Sequence, residues 1–320
     1  MMPASLSLVV DIGGTNTRVA LAQGARVDRT TIRRFANAEY PGLSEILSTY
    51  LAAANRPVCA GVCVAVAGPI DNGVARMTNL DWSIDSDTVR AATQAKHVAI
   101  LNDLQAQGHA LGHIEQNSLV PLIEATERPG ASQLVIGVGT GFNAAPVVDQ
   151  AGYRTVAPAE CGQISLPVQN EDDLRLMRFV SSNQGFACVE DALSGRGLER
   201  LFAFHAHEAD QSRTLDAASI MKALATREDS VAEATGRSFV RLLGAVSGDL
   251  ALGYLPFGGI FLIGGVARAF APHYQRFGLA EAFRNKGRFA AFMQNFSVAL
   301  VEDDYAALEG CARHLAATAS

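Results

Sequence analysis

Short apolar runs separated by glycine, not long helical stripes, dominate the first hundred residues. Leu6 to Val10 reads as a strand, and after a polar glycine turn a second strand spans Arg18 to Leu21 and ends at Gly24. A third strand is expected around Thr31 to Phe35. Beyond Pro41, residues Leu43, Ile46, Leu47, Tyr50 and Leu51 recur at helical spacing, which predicts an amphipathic helix to about Ala54. Gly61 to Ala67, rich in small and β-branched residues, predicts a buried strand. Asp71-Asn72-Gly73 then predicts a hairpin, because Asn-Gly tolerates the positive φ angles of a tight turn. A helix over Ser83 to Ala95, a strand over His97 to Leu101 and a helix over Leu104 to Leu111 complete this half.

The second half starts in the same way. Gln133 to Val138 is a strand, Gly139-Thr140-Gly141 a turn, and Asn143 to Val148 a second strand. This strand, glycine turn, strand order repeats that of Leu6 to Leu21 and suggests two related α/β halves. Helical patterns run from Glu171 to Gly253 with a break near Ser194 to Gly197. Ile260 to Ile263 is a short buried strand between two glycine pairs, Val298 to Val301 a late strand, and Tyr305 to Thr318 a closing helix.

Composition narrows the class. The chain has 320 residues, 49% hydrophobic and 18% charged, which fits a globular protein large enough for two cores. The apolar run Leu255 to Ala267 falls well short of the roughly 20 residues a membrane helix needs. The N-terminus lacks the pattern of a signal peptide, so a cytoplasmic protein is expected, without a membrane partner. Net charge is −6 and no basic run exceeds Arg33-Arg34, which argues against a nucleic-acid surface. The five cysteines are scattered without metal-ligand spacing and read as reduced, buried apolar residues.

Several segments could carry chemistry. In Asp11 to Arg18, Gly13 and Gly14 let backbone N–H groups approach an anion, Thr15 and Thr17 add hydroxyls, Asn16 completes the turn, and Asp11 suits a hydrated Mg²⁺. A glycine-stabilised hairpin accounts for the same residues. Gly139, Thr140 and Gly141 form a second candidate phosphate nest. Neither loop is a Walker A motif or a dinucleotide fingerprint, because no GxxxxGK occurs and each turn leads into a strand. Asp103, where a strand meets a helix, could accept a proton from a substrate hydroxyl, although Asn102 with Gln105 also reads as a capping box. Glu160, Gln163 and Glu190 are residue types that bind sugar hydroxyls; in a loop they are equally ordinary solvated groups. Gly264 and Gly265 would let an adenine and ribose lie on the backbone, or serve only close packing. His109 and His113, one helical turn apart, could pair on a metal, but no third ligand is evident and a partly exposed helix face is expected.

Taken together these segments resemble the bacterial glucokinase family, within the sugar kinase, Hsp70 and actin superfamily. Asp11 to Arg18 is similar to the family's first phosphate loop, Gly137 to Phe142 to its second, and Gly258 to Gly265 to its adenosine motif. Met77 to Trp82, Leu101 to Asp103, the Glu160 segment, Ala192 to Leu198 and Phe283 to Phe289 follow in family order. The resemblance implies two ribonuclease H-like (actin-like ATPase) domains flanking a central cleft, residues 1–112 with the C-terminal helix 302–320, and residues 113–301. It implies transfer of a phosphoryl group from ATP, with Mg²⁺, to the 6-hydroxyl of glucose. Asp103 matches the general base and Asn79, Asn102, Glu160, Gln163 and Glu190 the sugar-binding positions. Gly13, Gly14, Thr15, Asn16, Gly139, Thr140, Gly141, Gly264 and Gly265 match the nucleotide site, with Asp11 holding Mg²⁺ through water. A homodimer is implied as well. One departure stands out: where the family carries Gly-Gly-His after its glutamate, this chain has Cys161, Gly162 and Gln163. Another hexose as substrate (mannose, fructose or N-acetylglucosamine) and a non-catalytic sugar or ATP sensor are the alternatives.

Overall fold

The computed structural model describes residues 5–68, 70–77 and 80–318. The chain opens with β1 (Leu6–Ile12), β2 (Asn16–Gln23), β3 (Arg26–Val27), β4 (Arg33–Ala36), α1 (Leu43–Ala53) and β5 (Gly61–Val66). Next come β6 (Ile70–Asp71), β7 (Val74–Arg76), β8 (Ser83–Asp85), α2 (Ser86–Thr93), β9 (His97–Asn102) and α3 (Asp103–Ala110). Then follow β10 (Leu119–Ile123), β11 (Gln133–Val138), β12 (Phe142–Gln150) and β13 (Tyr153–Val156). The helical stretch holds α4 (Glu171–Gln184), α5 (Gly195–Glu208), α6 (Ala217–Thr226) and α7 (Ser230–Tyr254). The chain closes with β14 (Ile260–Ile263), α8 (Gly265–Ala269), α9 (Leu279–Arg284), β15 (Val298–Val301) and α10 (Ala306–Thr318). No helix among the described residues is long and apolar enough to cross a membrane.

Two compact units share these elements: residues up to 114 with 150–158 and from 303 onward, and residues 115–149 with 159–302. In the first unit the strand order is β3-β2-β1-β5-β9, with β4 also on β2; β1 and β2 are antiparallel, while β1, β5 and β9 run parallel. Both faces of this sheet are covered, as the period of two along β1 requires. Leu8, Val10 and Ile12 point into one core with Ile46, Leu47 and Tyr50 of α1, whereas Val9 points into another with Leu308, Cys311 and Ala312 of α10. Residues 150–158 lie in the second domain by the sequence reading, yet they pack in this unit. Gln105 Nε2 donates to the Val156 carbonyl at 3.1 Å, and Arg154 reaches the Gly108 and Leu111 carbonyls at the C-terminal end of α3.

In the second unit β15, β14 and β11 run parallel, flanked by antiparallel β10 and β12. The β11–β12 hairpin beside parallel β14 repeats the β1–β2 hairpin beside parallel β5. The long α7 lies at its centre, with Phe239, Val240, Leu242, Leu243 and Val246 buried.

The Asp71–Gly73 hairpin forms as expected, with Asn72 and Gly73 at φ 49° and 77°. The helix expected from Ser83 is shorter, because Ser83–Asp85 pairs with β7 and Asp85 then caps α2 through the N–H groups of Asp87 and Thr88. The histidine reading changes too. Gly112 adopts φ 78° and ends the turn after α3, so His113 is off the helix, while His109 is buried, its Nε2 3.2 Å from His314 Nδ1 on α10. All five cysteines are free and buried.

Candidate active site

Each unit places its glycine loops at the carboxyl ends of its parallel strands, where open α/β sheets bind ligands. In the first unit the turn between β1 and β2 closes through Gly13 N–H on the Asn16 carbonyl at 2.9 Å. Gly14 and Thr15 are exposed at its tip. Asn37, buried below it, donates from Nδ2 to the Gly13 carbonyl at 2.8 Å and from its main-chain N–H to the Thr15 carbonyl at 2.9 Å. Thr17 is not a donor at the loop surface: it is fully buried and its hydroxyl donates to Asn37 Oδ1 at 2.8 Å. Asn37 thus braces the loop from inside. Nothing in its sequence context, a polar residue between a strand and a helix, marks it for that work.

Asp11 stands opposite Arg18 in the β1–β2 register, with 3.0 Å between Oδ2 and Nη1. Burial pushes the Asp11 carboxyl up from its ordinary range, opposed by the Arg18 guanidinium. No cluster of three or more His, Cys, Asp or Glu suited to a metal occurs among the described residues. One carboxylate at a candidate phosphate loop fits Mg²⁺ nonetheless, since that ion is commonly held by one or two carboxylates, water and substrate phosphates.

At the end of β9, also in the first unit, Asn102 caps α3. Its Oδ1 accepts from Gln105 N–H at 2.7 Å, and Gln105 Oε1 accepts from Asn102 N–H at 3.1 Å. The capping box and the candidate base therefore coexist, because Asp103 is the first residue of α3 and not its cap. Asp103 is half-buried and its Oδ1 accepts from Leu104 N–H at 2.9 Å, which holds the carboxylate at the helix N-terminus. Asn79 lies outside the described residues.

The second unit carries the remaining candidates. Gly139 follows β11 and Gly264 follows β14; these strands pair in parallel with Gly137 opposite Ile263, so both glycine loops leave the same edge. Gly264 adopts φ 104° with no room for a side chain against the Val138 backbone, a conformation that favours glycine. A methyl group added at Gly139 or Gly265 would meet nothing within 4 Å, so both loops present bare backbone. That open surface fits a nucleotide's phosphates and ribose. The first turn of α5 joins them: Ser194 Oγ accepts from Gly197 N–H at 2.9 Å, and Gly195 N–H donates to the Gly139 carbonyl at 2.9 Å. Thr140 is exposed at the loop tip.

Glu160 and Glu190 adjoin this loop on segments stitched to each other. Val189 N–H donates to the Ile164 carbonyl at 3.0 Å, Leu166 N–H to the Ala187 carbonyl at 3.0 Å, and Ser165 bridges Cys188. Asn143, another residue that carries no signal in the sequence, fixes the approach to Glu160: its Nδ2 donates to the Ala159 carbonyl and its Oδ1 accepts from Cys161 N–H at 2.9 Å. Glu160 is exposed, yet desolvation by the segments around it and the Glu190 charge push its carboxyl upward. Glu190 Oε2 accepts from Phe142 N–H at 2.9 Å. Gln163 is exposed two residues beyond buried Cys161, whose thiol lies 4.0 Å from the Tyr254 hydroxyl.

A family model described as glucokinase matches residues 8–318. The glucokinase of Chromobacterium violaceum is 31% identical over 97% of this chain and 89% of its own length. The crystal structure of a glucokinase from an Antarctic psychrotroph is 30% identical, covers 97% of this chain and 98% of its own, and superposes with a TM-score of 0.86. A Streptomyces griseus ROK family glucokinase, solved with glucose and AMPPNP, shares the fold at 21% identity and a TM-score of 0.60, covering 96% of this chain and 98% of its own. The sheets, the paired glycine loops and a sequence match over nearly the whole chain agree: this chain belongs to the glucokinase family, with the actin-like ATPase fold.

Proposed function

We propose that the protein phosphorylates glucose at its 6-hydroxyl with ATP, and that Asp103 is the general base. The observation that carries the assignment of the base is the position of Asp103 at the mouth of a parallel strand, its carboxylate oriented by the first turn of α3. In the transfer, the bond between the γ-phosphorus and the ADP oxygen breaks and a bond from the sugar oxygen to phosphorus forms. The hydroxyl proton passes to the Asp103 carboxylate. Phosphoryl transfer depends on alignment and charge neutralisation more than on a covalent nucleophile. Backbone N–H groups of the Gly13–Asn16 and Gly139–Gly141 loops would hold phosphate oxygens, and Gly264 and Gly265 the adenosine. Asp11 would hold Mg²⁺, which would supply neutralisation of phosphate charge. Glu160, Glu190, Gln163, Asn102 and Asn79 would hold sugar hydroxyls.

Sugar choice turns on Gln163. A glutamine can donate and accept but carries no charge, and a discrimination set by one or two buried hydrogen bonds shifts with a single such exchange. Comparison of kcat/KM for glucose, mannose, fructose and N-acetylglucosamine tests the substrate; glucose ranking last would overturn it. We also read the protein as a cytoplasmic homodimer, on the family resemblance, which sedimentation equilibrium tests for assembly.

Asp103→Asn is the test of mechanism. Asparagine keeps an oxygen for the Leu104 N–H and removes the base. The expected result is a fall of about 10²–10⁴-fold in kcat with glucose still bound. Unchanged ADP release in the variant would reduce Asp103 to a residue of the helix start.

A further inference from the structure

In the second unit one carboxylate touches two candidate subsites. Glu190 Oε2 accepts from Phe142 N–H, the residue that ends the Gly139–Gly141 loop. A methyl group built on Gly141 would lie 2.5 Å from that same oxygen. Gly141 is not among the glycines with positive φ, so its backbone does not demand glycine. A side chain here would meet the Glu190 carboxylate and displace it.

The main chain of Glu190 is tied to the loop by a second route. Its carbonyl accepts from Ser194 Oγ at 2.8 Å. Ser194, fully buried, caps α5, and the next residue, Gly195, donates its N–H to the Gly139 carbonyl. The carboxylate of Glu190 thus bonds the residue that follows the loop, and its carbonyl bonds Ser194, whose neighbour Gly195 bonds the residue that begins it.

We propose that Glu190 couples the hexose subsite to the nucleotide loop, with Ser194 as the positioning residue that keeps the two in register. The inference rests on the assignment of Glu190 to the hexose and of Gly139–Gly141 to the nucleotide. A hexose hydroxyl donating to Glu190 competes with, and reorients, the acceptor that holds Phe142 N–H. Phosphates settling on the loop move Phe142 and so reset the carboxylate. Coupling of this kind is reciprocal: whatever factor the nucleotide applies to hexose affinity, the hexose applies to nucleotide affinity.

The test is glucose titration by calorimetry on the full chain, with and without a non-hydrolysable ATP analogue, for the wild type, Gly141→Ala, Gly139→Ala and Ser194→Ala. Alanine at 141 adds a methyl to the nucleotide loop at a point facing Glu190. It is expected to weaken glucose binding on the order of ten- to a hundredfold with no nucleotide present, the scale of a perturbed hydrogen bond to a charged group. Alanine at 139, which fills open space in the same loop, is expected to weaken the nucleotide and leave glucose affinity within about threefold, well below the tenfold step of 1.4 kcal/mol. In Ser194→Ala the ratio of glucose affinities with and without the analogue moves towards one. Should Gly141→Ala fail to fold by circular dichroism, that ratio decides alone.

Glucose binding unchanged in folded Gly141→Ala, or a ratio of one in the wild type, overturns the coupling and leaves the kinase assignment standing. Wild-type protein that binds no glucose overturns the hexose assignment itself, and the coupling with it.

Discussion

Glu160 shows how a proposed binding residue works against the fold that holds it. Partial desolvation and the neighbouring Glu190 charge make the folded protein hold a proton on Glu160 more tightly than an unfolded chain does. A carboxyl whose folded pKa is raised destabilises the native state wherever it is ionised, and that cost is relieved as pH falls towards the ordinary value of 4.5. Glu160→Gln is therefore expected to raise Tm at pH 7–8 relative to wild type, with the gain vanishing below about pH 4.5, while glucose turnover drops. Calorimetric scans at both pH values check the sign. Asn37, Asn143 and Ser194 are the complementary case, because they touch no proposed ligand yet set the shape of the loops. Their side chains bond to partners 24, 16 and 4 residues away in Asn37–Gly13, Asn143–Ala159 and Ser194–Glu190. An asparagine or serine that braces a loop looks in sequence like any other.

Among elements, α3 and α10 pack with no room between them at Gly310. A Cβ on Gly310 would overlap the Ala106 carbonyl, and His109 meets His314 on the same two helices, with ring centroids 4.7 Å apart. Because α3 begins at Asp103, forcing the helices apart shifts the proposed base. Gly310→Ala is expected to destabilise by about 3 kcal/mol, the upper end of ordinary overpacking, and to lower kcat more than it raises the KM for glucose. Urea unfolding together with steady-state kinetics would show both. A similar device recurs in α7, where alanine at Gly244 or Gly248 would come within 2.6–2.9 Å of α9 or of Lys286, which follows it. The helical pattern itself is readable as a period; which glycine on it faces a neighbouring backbone is not.

At the scale of the whole molecule, both units bury histidines in a way that gives the protein an acid limit. His205 and His273 in one unit and His314 in the other are all held below the ordinary 6.5, burial being the largest cause in each. A histidine with a lowered folded pKa takes up its proton on unfolding. Its contribution is intact above pH 6.5 and is lost as pH falls through and below that value. Unfolding free energy measured by urea is expected to fall from pH 7.5 to pH 5.5, and His314→Gln to make that fall shallower. An equal fall in the variant would remove His314 from the cause.

Local order determined more of this protein than its sequence identity to relatives would suggest. The strand limits Ile260–Ile263 and Val298–Val301, the Asn-Gly hairpin and the two glycine turns after apolar strands are all legible, because each depends on residues next to one another. So is the capping box at Asn102, which marks the start of α3 and hence Asp103. Tertiary structure decided the rest. It assigned residues 150–158 to the first unit, buried His109 against His314, took Thr17 out of the loop surface, and set the Glu190 carboxylate in the space a Gly141 side chain would fill. Each of these joins segments distant in sequence, and such contacts depend on how sheets and helices stack. Periodicity says which face of an element is buried; only packing says against what.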